Sequence, residues 1–137
     1  MDNIDKKLLE LLKQNARMPF VELGSQVGLS EAAVRRRVKN LVDSGIIRRF
    51  TIDIELQHEA SALTLVTVTP GADSSEISSK IKSIHTVDRV YEVTGQHDIA
   101  ILISGPTISD VNNTIDQIRK MPGIGSTVTM VILRQVT

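Results

Sequence analysis

Three consecutive arginines, Arg35, Arg36 and Arg37, followed by Lys39 and Asn40, are the side chains of this sequence most suited to holding a polyanion. A guanidinium group offers a rigid fork of donors that matches phosphate oxygens or the O6/N7 edge of guanine, and a carboxamide matches the N6/N7 edge of adenine. Arg48 and Arg49 repeat the basic signal a few residues later. Contacts of this kind divide into positioning on phosphates and reading of base edges. Arg48, Arg49 and some of Arg35, Arg37 and Lys39 are candidates for the first role; Arg36 or Asn40 for the second.

These residues need an element to aim them. Ser30 to Ser44, SEAAVRRRVKNLVDS, has Val34, Val38 and Leu41 at i, i+4 and i+7, the spacing of one apolar helix face. Arg36, Lys39 and Asn40 then point the other way, with Arg35 and Arg37 on the flanks. Ser30 is a suitable N-cap and Gly45 a suitable stop. Ala32 and Ala33 are small enough for the helix start to approach another surface closely. A short helix with a packed back and a thin basic front suits a DNA major groove. A merely solvated basic face is the plain alternative.

The preceding residues favour the groove. A helix is expected from about Asn3 to Asn15, with Ile4, Leu8, Leu11 and Leu12 as its buried stripe and Asp2 as cap, Asp5 three residues on. A second is expected from Pro19 to Val27, burying Leu23 and Val27. Gly24 lies inside it at a cost of up to ~1 kcal/mol against alanine, tolerable if a neighbour packs closely there. Gly28–Leu29 is a tight turn, and two short helices so joined form a helix-turn-helix. Beyond Gly45, Arg48 and Arg49 fall on a short extended segment or wing. Phe50, Ile52 and Ile54 alternate as in a strand packed on one side.

From Ser61 onward the pattern changes. Strands are expected at Ser61–Thr69, Val87–Thr94, Ile99–Ser104 and Ser126–Val136, with helices at Ser74–Ile84 and, capped by Thr107, through Ile108, Val111, Ile115 and Ile118. The order β-α-β-β-α-β is the ferredoxin-like arrangement. The expected fold class is therefore α+β: a winged helix-turn-helix domain over residues 1–50, a linker strand over 51–60 and a ferredoxin-like domain over 61–137. Two helices cover one face of the sheet, yet the strands carry apolar residues at both parities. The second face needs a cover, and a second copy of the chain is the expected one. This domain reads as the dimeriser and the builder of larger rings.

Composition narrows the alternatives. Residues 1–50 hold ten Lys/Arg against six Asp/Glu, and residues 51–137 hold six against ten, so a net charge of zero hides a basic module beside an acidic one. Without cysteine there is no disulfide or thiolate metal site, and His58, His85 and His97 lack metal-ligand spacing. No cofactor or metal is expected. No apolar run approaches the ~20 residues of a membrane helix, and no signal peptide is visible, so the expected location is cytoplasmic. No Trp, one Tyr and two Phe argue against a stacking platform for single strands. Gly123–Ile124–Gly125 lacks the context of a dinucleotide or phosphate loop. His97 has neither nucleophile nor acid partner, and no enzyme is expected.

The stretch ELGSQVGLSEAAVRRRVKNLVDSGIIRRF, Glu22 to Phe50, strongly resembles the DNA-binding domain of the Lrp/AsnC (feast/famine) transcription regulators, archaeal or bacterial. NIDKKLLELLKQNARMPF is similar to that family's first helix. VYEVTGQHDIAILI matches its strand–Gly–x–x–Asp–strand pattern, and MPGIGSTVTMVIL its final loop and strand. Gly24 departs from the pattern, since many members carry alanine there. The resemblance implies a sequence-specific regulator of amino-acid or related metabolism that binds a palindromic operator as a homodimer, assembling to an octamer. It also implies a small amino-acid effector held between neighbouring second domains. On that analogy Gly95 and His97 offer backbone contacts, Asp98 pairs with a ligand ammonium, and Thr127 and Thr129 line or support the same interface. Read alone, Gly95–Gln96–His97–Asp98 is a hairpin turn and the two threonines are ordinary strand residues. Asp88 and Glu92 either favour a cationic effector such as lysine or form a solvated strand face. The main competing function is an architectural DNA-binding protein without an effector. An enzyme on the second fold and a protein–protein adaptor are the remaining readings.

Overall fold

The computed structural model describes all 137 residues, which divide into two compact units, Met1–Ile54 and Glu55–Thr137. The first unit contains α1 (Asn3–Gln14), α2 (Phe20–Val27) and α3 (Glu31–Asp43). All three exist because each carries one apolar stripe. Leu8, Leu11 and Leu12 of α1, Leu23 of α2, and Val34 and Val38 of α3 close on one another as a single buried cluster. The α1 start is fixed by a capping box: the Asp2 carboxylate accepts the Asp5 amide, and the Asp5 carboxylate accepts the Asp2 amide.

The turn between α2 and α3 explains both of its glycines. Gly28 closes α2 with a φ of 73°, where a side chain would be strained. Gly24 is buried, and its carbonyl accepts the Leu29 amide at 2.9 Å. A Cβ at Gly24 would lie 2.3 Å from the Leu29 carbonyl oxygen, so the returning turn occupies the space of the missing side chain. Gly24→Ala is therefore expected to lower the melting temperature. Crowding a packed site costs about 1–3 kcal/mol, more than the gain in helix propensity of up to ~1 kcal/mol. Scanning calorimetry checks this, and an unchanged or higher midpoint would mean the turn moves aside freely.

The second unit contains β1 (Ala60–Val68), α4 (Ser74–Lys82), β2 (Val87–Glu92), β3 (Ile99–Gly105), α5 (Ile108–Arg119) and β4 (Ile124–Val131). The four strands form one antiparallel sheet in the order β2-β3-β1-β4, the ferredoxin-like topology expected from the element order. Ala62 and Val66 of β1 and Ile99, Ile101 and Ile103 of β3 turn to one face, where Ile77 and Ile81 of α4 and Val111, Ile115 and Ile118 of α5 bury them. Asp73 caps α4, and Thr107 and Asp110 form a capping box on α5.

The register defines the other face. Leu63 stands opposite Leu102 on one side and Met130 on the other; Leu65 stands opposite Ala100 and Val128, with Tyr91 beyond Ala100. Partners directly opposite share a face, so two apolar rows cross the sheet where no helix covers them. Val128, Met130 and Tyr91 are about half exposed.

Two expectations need correction. No strand lies between Asp43 and Ala60, so neither a wing nor a linker strand over 51–60 forms within the chain. Phe50, Ile52 and Ile54 are 54%, 76% and 59% exposed rather than packed on one side. Alternation alone cannot make a strand that has no ladder partner in the same chain. The last strand also runs from Ile124 to Val131, beginning two residues earlier and ending five earlier than expected. It runs only as far as β1 pairs with it: Val131 faces Ala62, and the Ile132 amide makes one further bond to the Ser61 carbonyl.

Candidate nucleic-acid interface and ligand turn

Helix α3 presents its functional side chains because its back is committed. Val34 is fully buried, and Val38 and Leu41 nearly so. Ser30 caps the helix by accepting the Ala33 amide at 3.2 Å. At the far end the Ile47 amide donates to the Leu41 carbonyl, and Ile47 packs against the helical cluster. That anchor delivers Arg48 and Arg49, both exposed, just past the helix end.

The three arginines of the run have different surroundings. Arg36 is exposed and has no ion-pair partner within the chain. Arg35 pairs with Glu31 one turn back and lies 5.5 Å from the centre of the Phe20 ring. Arg37 is only 27% exposed at its side chain and reaches α1, where its Nη1 donates to Asp2 at 2.8 Å and to Asp5 at 3.0 Å. Arg37 thus departs from the expected phosphate contact, because the α1 capping box holds its guanidinium. The two other polar candidates on the helix remain available. Lys39 makes an exposed pair with Asp43, Asn40 is exposed, and exposed pairs one helical turn apart are worth only about 0.3–0.5 kcal/mol. A phosphate can displace such a partner. Ala32 is exposed beside Arg36, and with Glu31, Arg35 and Lys39 these two line a shallow concavity. Glu31 is the one residue of that lining absent from the sequence-based set; its place in the first turn, four residues before Arg35, was the available signal.

The Asp5 amide, and after it the Arg37 guanidinium, hold the Asp2 carboxyl below the usual carboxylate range, and Asp2 in turn raises Arg37. A carboxyl depressed on folding adds stability above its unfolded pKa and loses it as pH falls through the folded value. Arg37→Ala should therefore move the Asp2 titration upward towards the ordinary range, read by NMR of the aspartate side chains. An unmoved Asp2 would leave its backbone hydrogen bond as the sole cause.

The turn between β2 and β3 has a different character. Asp98 stitches it to β1: its amide donates to the Val66 carbonyl, and its carboxylate accepts the Val68 amide, both at 2.8 Å. His97 is half-buried, with Nδ1 3.3 Å from the Thr67 hydroxyl, and Gly95 is exposed. Thr127 and Thr129 stand opposite Val66 and the fully buried Thr64, on the helix-covered face. Thr129 shares a hydrogen bond with Thr64 at 3.0 Å, and Thr127 accepts one from Arg119 Nε at 2.9 Å. Within one chain no hydrogen bond joins Gly95, His97 or Asp98 to Thr127 or Thr129. The turn residues sit beyond the strand ends, and both threonine hydroxyls are used inside the fold. Asp88 bonds the Ser104 hydroxyl, and Glu92 accepts from Ser75 at 3.1 Å.

No helix is long and apolar enough to cross a membrane. Residues 1–42 match the family model described as an AsnC-type helix-turn-helix domain, and residues 61–137 match the Lrp/AsnC ligand binding domain. The chain is 44% identical over 134 residues to the HTH-type transcriptional regulator LysM of Sulfurisphaera tokodaii, covering 98% of this chain and 96% of that one. Among solved structures it superimposes on Escherichia coli AsnC with a TM-score of 0.80 at 28% identity, covering 98% and 93% of the two chains. It also superimposes on the regulator NMB0573 of Neisseria meningitidis, solved as an L-Met complex, with a TM-score of 0.85 at 22% identity, covering 100% and 92%.

Proposed function

The chain belongs to the Lrp/AsnC family of helix-turn-helix transcription regulators, and from that premise we propose that it binds a palindromic operator as a homodimer and that a small amino acid adjusts its assembly on DNA. Members of this family are DNA-binding regulators rather than enzymes. The observation that carries the reading is α3: a helix with its apolar side buried among α1 and α2 and its basic side free, in which Arg36 faces solvent unpaired.

One such helix reads few base pairs. Pairing two of them across a two-fold axis places them on half-sites about one helical turn apart. The two uncovered apolar rows of the sheet are the surface for that pairing, since an apolar face without helices is buried most simply by its own copy. Assembly from dimers to an octamer continues the same reading.

The proposed effector site lies at the β2–β3 turn and is completed by a neighbouring copy. Gly95 and His97 supply backbone contacts, Asp98 supplies its second carboxylate oxygen to an ammonium group, and Thr127 and Thr129 support the adjoining strand. The L-Met complex of NMB0573 lends this support at the level of the fold. A ligand bound there shifts assembly only by its differential affinity for alternative arrangements of dimers.

Selection of duplexes from a random pool, with and without a mixture of the twenty amino acids, tests both halves. A recovered inverted repeat whose affinity or spacing changes with the mixture is the expected result. Recovery of no common sequence would favour the architectural alternative, and an unchanged profile would remove the effector.

A further inference from the structure

We propose that Glu31 is a specificity-determining residue, whose carboxylate reads a cytosine amine in the major groove beside the base contacted by Arg36. The inference rests on the DNA-binding reading of α3 and deepens it.

Glu31 is the first residue of α3, directly after the Ser30 cap, and its side chain is 49% exposed. The start of a groove-entering helix is the part that meets base edges. Glu31 lines the same concavity as Ala32 and Arg36, where the alanine leaves room for a base pair to approach. A carboxylate there has only acceptor oxygens, and the donor that cytosine displays in the major groove is its N4 amine. Cytosine therefore suits this position better than guanine or thymine, whose groove edges are acceptors.

The carboxylate also governs Arg35. Its Oε1 lies 2.5 Å from Arg35 Nη2, and the Phe20 ring supports the guanidinium from α2. Glu31 thereby cancels one positive charge on the DNA-facing side and repels a phosphate that enters the concavity. Both effects lower affinity for wrongly placed DNA more than for a site with cytosine at this position. A residue chosen only for non-specific attraction would not be an acid.

The test compares the full-length wild type with Glu31→Gln by selection from a random duplex pool, followed by titration of selected and random duplexes. Glutamine keeps the size, removes the charge and prefers adenine. The expected result has two parts: one position in each half-site changes from cytosine to adenine, and random duplex binds several-fold tighter. Affinity of the variant for the wild-type site should fall by about tenfold for each half-site, the usual scale for one lost base contact. An unchanged base preference overturns the proposal, even if affinity or melting temperature shifts, because a helix-capping or ion-pair role affects all sequences alike. Glu31→Ala serves as the second variant: it should lose the cytosine preference without acquiring one for adenine, and retained preference likewise overturns the assignment. Failure of the wild type to select any sequence is a separate outcome, which sinks the DNA-reading function itself and this inference with it.

Discussion

Arg36→Ala will lower affinity by about 10- to 100-fold for each half-site of the selected operator, the scale of one lost bidentate base contact of ~1–3 kcal/mol, so that the two losses multiply on the full site, while random duplex will lose far less. The asymmetry follows from the surroundings of the three arginines. Arg37 is held by Asp2 and Asp5, and Arg35 by Glu31 and Phe20, whereas Arg36 has no partner inside the chain and stands beside the small, exposed Ala32. A free guanidinium meets a base edge without first breaking an internal bond. Arg48→Ala provides the contrast: as a phosphate contact it should weaken both duplexes similarly and flatten the salt dependence by about one counterion per protomer. Competition titrations at two salt concentrations measure both. Equal losses on selected and random duplex in the Arg36 variant would reassign it to the backbone.

Leu63→Glu is expected to have the larger effect on assembly. Leu63 lies at the middle of the uncovered face, on a central strand, between Leu102 and Met130. A carboxylate there would be buried without a partner in a paired face, which costs several kcal/mol. Monomer should then dominate in sedimentation equilibrium at micromolar concentration. Operator affinity should fall by about 100-fold or more as the two helices lose their linkage. Leu63 faces away from α4 and α5, so circular dichroism should keep its native shape. A variant that stays dimeric would move the pairing surface elsewhere, to the exposed Phe50, Ile52 and Ile54 segment in the first instance.

Much of this was legible in the residues because local and long-range preferences agree. The stripe Val34, Val38, Leu41, the caps at Asp2, Ser30 and Thr107, and the order of strands and helices each point to one structure. The parts that were not legible depend on partners distant in the chain. In sequence Arg37 groups with Arg35 and Lys39 as a phosphate candidate, and nothing local sets it apart from Arg35; α1 brings two carboxylates to it from more than thirty residues away. The extent of the last strand was set by where β1 pairs with it rather than by the β-branched residues that continue past Val131. Thr127 and Thr129 were placed with the turn by family analogy, whereas strand register turns their hydroxyls towards Arg119 and Thr64. Glu31 carries no signal in sequence beyond its place in the first turn of the helix; the concavity it shares with Ala32 and Arg36 appears only in the fold.

The bond from the Val68 amide to the Asp98 carboxylate carries a practical consequence. An ammonium group arriving at that carboxylate must share it with the amide or take it away. Either event alters the electron density felt by one nitrogen on the central strand. Isotope labelling of valine would thus test the proposed ligand site at this single position, readable with no nucleic acid in the tube.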